Sequence, residues 1–328
     1  MVKENKELDK VILNLEKKFG EGIIIQMGQQ KKLNIEMITT GSLVLDKALG
    51  GGIPKGRIIE IMGNNSSGKT TLALTILAQF QKAGYKTAFA DLEHAIDLKY
   101  SERIGVNMKE MLLTQPDNLE ATFEIVEALI QGAGIQLIII DSVAALVPKA
   151  ELEGDYGQVH MGLQARLMGQ ALRKLTGIVA KTGTTLIFIN QTRAILDSFG
   201  YGPKTTTPGG NALKFYTSIR MEMTNMGKLE EQTVEGKTRI GNKTRVKVVK
   251  NKIAPPFKEA HFDIMYNKGI STSGEVLDLA VQYGIVNKKS AFYDIYGEAV
   301  QGRENSKIYL ELHSEVLEKL VKEVKNFK

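Results

Sequence analysis

The spacing of apolar positions changes character along this chain. Leu8, Val11, Ile12, Leu15 and Phe19 fall three and four apart with lysine and glutamate between them, which predicts an amphipathic helix over residues 4–19. Gly20, Gly22, Gly28 and the polar run Gln29–Lys32 come next and predict a linker, so the apolar stripe has no local core. It is expected to dock on the chain's own body or on a neighbouring copy. From Gly41 onward short apolar runs alternate with helical stretches. Strands are predicted at Arg57–Met62, Thr87–Asp91, Met111–Thr114, Leu137–Asp141 and Thr185–Asn190, and helices at Thr70–Lys82, Asn118–Gln131 and Gly162–Lys181. That alternation implies a parallel sheet covered on both faces, with the uninterrupted apolar run Leu137–Ile140 as a central strand.

After Asn190 the rhythm changes again. A glycine- and threonine-rich stretch, Asp197–Asn211, precedes Lys214–Met223, Lys243–Val249 and Ala260–Met265, which alternate without helices between them and predict antiparallel strands widening the sheet. From about Gly269 to the end, short elements and a helix rich in lysine and glutamate predict a small α+β domain. The expected architecture is therefore α/β, a mostly parallel central sheet extended by antiparallel strands. Its predicted parts are an N-terminal helix and linker at 1–32, a core at 33–268 and a C-terminal domain at 269–328.

Composition narrows the chemistry. In 328 residues there is no cysteine, which excludes disulfides, thiolate nucleophiles and cysteine-built metal sites, and His94, His160, His261 and His313 are scattered. No apolar run approaches the length of a membrane span, and the charged start lacks a signal-peptide core, so the expected setting is cytoplasmic. The net charge is +6, and Met226–Lys258 alone holds nine Lys/Arg against three Asp/Glu, an excess equal to that of the whole chain. Such a ribbon either faces water or meets a polyanion.

The strongest single motif is Gly63-Asn64-Asn65-Ser66-Ser67-Gly68-Lys69-Thr70, followed by Thr71, which fits G-x-x-x-x-G-K-[ST]. A strand leads in and a helix leads out, so successive backbone N–H groups are aimed at an anion on a helix N-terminus. Lys69 supplies a point charge to the β and γ phosphates, and Thr70 offers a hydroxyl to Mg²⁺. Hydrolysis needs acidic and polar groups from the ends of neighbouring strands. Asp141 comes directly after Leu137–Ile140 and suits Mg²⁺; Glu93 lies just past the strand ending at Asp91 and suits the attacking water; Gln191 closes another strand and suits a γ-phosphate sensor. Asp91 competes with Glu93 for the base role, and spacing does not separate them.

Two loops extend the same edge. Gly154–Gly162 carries Asp155, Tyr156, Gln158 and His160, and Asp197–Asn211 carries Phe199, Tyr201, Lys204 and three threonines. Amides, hydroxyls and a few aromatics suit a phosphodiester backbone and unstacked bases. Arg166 and Arg173, seven apart, share one helix face beside the first loop. Within Thr244–Lys252, alternation puts Val246, Val248, Lys250 and Lys252 on one strand face, with the two lysines able to meet the triphosphate of an adjacent subunit.

Taken together, TTGSLVLDKALGGGIPKGRIIEI, GNNSSGKTTL, DLEHAID, LIIIDSVAALVPKAELEG, HMGLQARLMGQALRKL, LIFINQTR, TTTPGGNALKFYTSIR and TRVKVVKNKIAPPFKEAHFDIMY make the chain resemble the bacterial RecA recombinases from about residue 39 to 266, with a weaker likeness at both ends. The resemblance implies an ATP- and Mg²⁺-dependent DNA recombinase that forms a helical filament on single-stranded DNA, pairs it with a homologous duplex and exchanges strands. It also implies help in the self-cleavage of an SOS repressor. Carried over by position, Gly63–Thr71 bind phosphate, Glu93 is the catalytic carboxylate, Asp141 serves Mg²⁺, and Gln191 couples the γ-phosphate to the second DNA loop. Asp97 and Tyr100 flank the adenine with Tyr266 near it, and Lys250 and Lys252 reach the neighbour's nucleotide. Met161, Arg166, Arg173, Arg193, Gly209, Gly210 and Asn211 match DNA-contacting segments, Phe215 matches a subunit contact, and the N-terminal helix docks on the next protomer to leave an open helix.

Some positions depart from that family's pattern. Asn64-Asn65 stand where a glutamate usually precedes the two serines, so coupling between protomers through that loop is expected to differ. Gly169 replaces a usual serine, the second loop diverges in its first half with its base-separating residue open between Ile195 and Leu196, and the family's acidic tail does not occur, which is expected to favour duplex binding. The main rival is a hexameric helicase or motor of the same core fold; a nucleotide-gated scaffold acting on a repressor is a third reading, and a small-molecule kinase explains least.

Overall fold

A computed structural model of the chain describes residues 6–20, 23–24, 35–155, 162–194, 205–233 and 236–327. It falls into two units, Met1–Glu36 and Met37–Lys328. In the first unit, helix α1 spans Lys6–Phe19, with Glu7 and Asp9 in its first turn and Lys17 and Lys18 in its last, the order that opposes the helix dipole. Leu8, Val11, Leu13 and Phe19 are exposed on it.

The second unit opens with α2 (Leu43–Leu49) between two short paired strands, β1 (Met37–Ile38) and β2 (Ile53–Pro54). The Ser42 side chain accepts from Leu45 N at the helix start, and Gly50, at φ 88°, closes the other end in the left-handed conformation that glycine tolerates. The βα alternation then runs β3 (Ile58–Gly63), α3 (Lys69–Lys82), β4 (Thr87–Asp91), α4 (Leu98–Arg103), β5 (Met111–Thr114), α5 (Leu119–Gly132), β6 (Leu137–Asp141), α6 (Lys149–Leu152), α7 (Leu163–Thr182) and β7 (Thr185–Gln191). Next come a two-strand ladder of β8 (Arg193–Ala194) with β9 (Thr205–Thr206), the short α8 (Ala212–Tyr216), and β10 (Ile219–Thr233), β11 (Gly236–Asn251), β12 (Glu259–Met265) and β13 (Gly269–Ile270).

Nine of these strands form one sheet in the order β13-β12-β11-β10-β3-β7-β6-β4-β5. It is parallel from β10 through β5 and antiparallel from β10 to β13, as the alternation predicts. In β6 the two faces separate residue by residue: Leu137 and Ile139 join the core around α3, while Ile138 and Ile140 join the core under α5 and α7. A strand covered on both faces has no reason to alternate with polar residues, which explains the unbroken apolar run. A third core gathers Val276, Leu277, Ala280, Tyr293, Ile295, Leu310 and Leu320 from α9 (Thr272–Gln282), the sheet of β14 (Asn287–Lys289), β15 (Phe292–Ile295) and β16 (Glu298–Gln301), α10 (Arg303–Leu312) and α11 (Ser314–Asn326), with Leu43 and Val44 of α2 packed against it. Among the described residues, no helix is long and apolar enough to cross a membrane.

Two expectations fail locally. The stretch read as a strand from Lys214 begins inside α8, a helix of five residues, too short to display a helical period. On β11, Met221 faces Val248 but Arg220 faces Lys250, so Val249 is an extra residue and the strand bulges there. A bulge reverses the parity of the residues beyond it. Val246 and Val248 stay in the α3-side core, whereas Lys250 comes onto the face of Arg220 and Glu60, not the face of the valines.

Candidate functional site

Parallel strands deliver their C-terminal ends to one edge, and here β3, β7, β6 and β4 deliver Gly63, Gln191, Asp141 and Asp91. Gly63 is paired with Gln191 and Asp91 with Asp141, so the register aligns the four ends. The chain leaving Gly63 must turn sharply into α3, and its glycines are sterically required. A Cβ on Gly63 would run into the Met223 carbonyl and come within 2.8 Å of Ser67 Oγ; Gly68 sits at φ 91° against the Ile264 side chain.

Two polar side chains in this turn are not matched to partners of their own kind. Ser67 Oγ is buried and unpartnered within the chain. Lys69, itself buried, donates its Nζ to the Asn64 carbonyl at 2.7 Å instead of to a carboxylate, and burial lowers its pKa despite the nearby charges of Asp141 and Glu93. A cationic head, a spare hydroxyl and the amides of a helix N-terminus within one turn fit a phosphate chain. Thr70 Oγ1 donates to Asp141 Oδ2 at 2.7 Å. Burial pushes the Asp141 carboxyl up to about 6, the Thr70 bond pulls it down, and the charge of Glu93 pushes it up again. A hydroxyl and a poorly compensated carboxylate in contact fit a hard cation that also takes phosphate oxygens and water.

The two carboxylates that sequence spacing leaves in competition differ in their surroundings. Asp91 is buried and accepts from Ala95 N at 3.2 Å, Ile96 N at 3.3 Å and Gln115 Nε2 at 3.1 Å, so its oxygens are spent on folding the turn after β4. Glu93 is exposed on that turn. Its Oε1 accepts from Ser142 Oγ at 2.5 Å and from Gln191 Nε2 at 3.3 Å. Two donors on one oxygen fix the carboxylate and leave Oε2 for a water, an arrangement suited to a general base.

Near the same turn, Asp97 caps α4 by accepting from Tyr100 N at 2.9 Å, and Tyr100 Oη lies 3.0 Å from Thr71 Oγ1 at the start of α3. Tyr266, 44% exposed, comes just after β12, with Arg239 over its ring; the next residue, Asn267, accepts from Arg103 of α4 at 3.0 Å. Asp97, Tyr100 and Thr71 are thus brought to the phosphate-loop helix, and Tyr266 to the far end of α4.

The two loops expected to meet nucleic acid have their described ends together. Residues 156–161 and 195–204 lie outside the described residues, and with them Met161 and the choice between Ile195 and Leu196. What is described is the frame. Asn190, fully buried, donates to Glu60 Oε1 at 2.8 Å and to the Pro208 carbonyl at 3.1 Å, while its own Oδ1 accepts from Gln191 N at 2.9 Å. One side chain therefore ties the entry of the second loop to its exit. Glu60 is held in turn by Arg220, 2.5 Å away. Gln164, in the first turn of α7, donates to the Val143 and Leu146 carbonyls at 3.0 and 2.8 Å and accepts from Gly209 N at 3.3 Å, joining the end of the first loop to the end of the second.

Gly209 and Gly210, at φ 83° and 71°, press on Val143 and Ala165 so closely that a Cβ on either would lie within 3.0 Å of a side chain. Asn211 precedes α8 without a side-chain cap bond. Arg166, Arg173 and Arg193 are exposed around this frame. Gly169 lies nearby on α7, with open space beside Ala212 where a Cβ would go.

Lys250 and Phe215 assemble elsewhere. Lys250 Nζ donates to the Lys214 and Phe215 carbonyls at 2.6 and 3.1 Å, at the end of α8, and burial followed by repulsion from Lys252 and Arg220 lowers its pKa. Phe215 is 72% exposed, and Lys252 is also exposed. These three form an outward-facing cluster whose bonds do not lead to the chain's own phosphate loop. Sequence reading missed Ser142, Asn190, Gln164, Glu60 and Thr192. Only Asn190, a polar residue ending an apolar strand next to Gln191, left any local signal.

Comparison with known proteins agrees along the chain. The RecA N-terminal domain matches residues 6–271 and the RecA C-terminal domain residues 274–327. Protein RecA of Campylobacter jejuni subsp. jejuni serotype O:23/36 is 50% identical over 325 residues, covering 98% of this chain and 94% of that protein. Protein RecA of Citrifermentans bemidjiense is 52% identical over 326 residues (97% and 95%), and that of Macrococcus caseolyticus 49% over 327 residues (99% and 91%).

Proposed function

This chain belongs to the RecA family, and from that premise we propose that it is a DNA-dependent ATPase that assembles as a helical filament on single-stranded DNA and drives homologous pairing and strand exchange. The observation that carries this reading is the Gln191 bond to Glu93, because the same strand end that holds the hydrolytic carboxylate opens the second loop. When bound, ATP with Mg²⁺ would supply the γ-phosphate to be transferred to water and the charges that Lys69 and Thr70 would meet. Ser67, the loop amides and Lys69 bind and neutralise phosphate oxygens, Thr70 and Asp141 hold the cation, and Tyr100 and Asp97 border the base. Glu93 takes a proton from the attacking water at Oε2 while Ser142 and Gln191 keep Oε1 occupied.

Gln191 has two uses. Donating to Glu93 it leaves the γ-phosphate position, and turning toward that phosphate it carries β8 with it, so the grip of the second loop depends on the nucleotide. Arg166, Arg173, Arg193 and the amides of Gly209, Gly210 and Asn211 meet the DNA backbone. The exposed apolar positions of α1 and the cluster of Phe215, Lys250 and Lys252 serve head-to-tail contact, the two lysines reaching the nucleotide of the next protomer. In the same nucleotide-bound filament the chain promotes self-cleavage of an SOS repressor.

The test mixes the protein with ATP, a single strand and a homologous duplex and scores joint molecules. They should form with the parent and not with Lys69→Ala; joint molecules absent with the parent, or equally abundant with Lys69→Ala, would refute the reading.

A further inference from the structure

A second connection runs from the phosphate loop to the second loop without passing through Gln191. Thr192, the next residue, donates its backbone N–H to the Gly63 carbonyl at 3.2 Å and its Oγ1 to Asn64 Oδ1 at 2.6 Å. Asn64 is held at its other end, since its carbonyl accepts from Lys69 Nζ at 2.7 Å. Thr192 leads directly into the ladder that forms the stem of the second loop, where Arg193 faces Thr206 and Ala194 faces Thr205. The chain of contacts is therefore Lys69, Asn64, Thr192, stem.

We propose that Asn64 is a positioning residue that reports occupancy of the phosphate loop to the stem of the second loop through the Thr192 hydroxyl, in parallel with Gln191. The physical step is an exchange of partners. Lys69 is bonded to Asn64 only while no phosphate competes for it, and a β-phosphate within its reach draws the ammonium away, because a charge-assisted bond to phosphate is stronger than one to a neutral carbonyl. Released at its carbonyl, Asn64 can shift, and Thr192 shifts with it.

The two routes then read different things. Gln191 faces the place of a γ-phosphate and distinguishes triphosphate from diphosphate. Asn64 responds to whatever takes Lys69, so ADP suffices. An asparagine at this position gives the loop a side-chain acceptor for Thr192, which makes Asn64 and Thr192 a matched pair in this sequence.

This inference rests on Gly63–Thr71 being the phosphate site but not on DNA binding, and its test uses no DNA. Hydrogen exchange is measured on the full chain, free and saturated with ADP, in peptides covering 189–194 and 205–211, with ADP affinity measured by equilibrium dialysis. For the parent, ADP should change exchange of the stem amides about threefold or more, the size by which one net hydrogen bond moves an opening equilibrium. Thr192→Val should lose that response while still binding ADP. Thr192→Ser, which keeps the hydroxyl, should restore it, and Gln191→Ala should retain it. An ADP response in Thr192→Val equal to the parent's, its loss in Gln191→Ala, or no response in a parent that binds ADP would overturn the inference and leave the proposed function standing. Failure of the parent to bind ADP would overturn both.

Discussion

The phosphate-loop end of β3 and the stem of the second loop share one sheet edge, yet they are built by different means. The first is backbone work. Its shape comes from Gly63 wedged against the Met223 carbonyl, Gly68 in the left-handed region and a helix buried from its first residues, so few side chains could be changed without altering the turn itself. The stem is two residues on each strand, held by side chains reaching across the sequence: Asn190 to Pro208, Gln164 to Gly209, Thr192 to Asn64. A frame of that kind can be released by exchanging a few hydrogen bonds, each worth about 0.5–1.5 kcal/mol net. A rigid site that binds beside a lightly held frame that moves is what nucleotide-controlled grip requires.

The difference is sharpest where chemistry is removed without touching either scaffold. Glu93→Gln keeps the exposed side chain's shape and should lower DNA-stimulated ATP turnover by about 10²- to 10⁴-fold, the usual contribution of a general base. Nucleotide affinity and thermal stability should stay near the parent's. Phosphate release and a thermal melt check this together, and a turnover loss below about tenfold would return Asp91 to contention.

A control lies outside both regions. Glu275 is buried where α9 meets the start of α2, accepting from Ser42 Oγ at 2.5 Å and Leu43 N at 2.9 Å. Burial pushes its carboxyl up to about 8 from an ordinary 4.5, against the pull of those two bonds. The folded chain thus keeps a proton that the unfolded chain releases. The contribution to stability is full below about 4.5 and is lost as pH rises toward about 8, with a slope of up to about 1.4 kcal/mol per pH unit. Denaturant melts across that window should show the decline, and Glu275→Gln should flatten it.

Smaller in energy but more telling is Asn190→Ala. It leaves Glu60 Oε1 and the Pro208 carbonyl each short of a donor and should cost about 1–3 kcal/mol of stability. Basal turnover should survive, since the phosphate loop does not depend on this bond, while stimulation by single-stranded DNA should fall. Basal and stimulated turnover lost in equal measure would mean that the two regions are one mechanical unit.

The same contrast governs how much could be read from the residues alone. The parallel sheet, its central strand and the phosphate loop were legible because burial on both faces and a strand-turn-helix with fixed glycines leave local marks. Asp141 and Gln191 were legible as polar residues ending apolar runs. Ser142 on Glu93, Gln164 on Gly209 and Thr192 on Asn64 were not, because each bond joins positions dozens of residues apart. The bulge at Val249, which turns Lys250 away from the face of Val246 and Val248, is invisible to strict alternation, and α8 is too short to announce itself.

The central claim is that nucleotide sets the grip on a strand. It is tested most directly by fluorescence anisotropy of a labelled single-stranded oligonucleotide, titrated with the protein under Mg²⁺ and a non-hydrolysable ATP analogue, ADP or no nucleotide, over a range of salt. Binding should be at least about tenfold tighter with the triphosphate analogue, affinity should fall steeply with salt as phosphate contacts require, and Gln191→Ala should abolish the difference between the triphosphate analogue and ADP. Equal affinity in all three nucleotide states would contradict the claim.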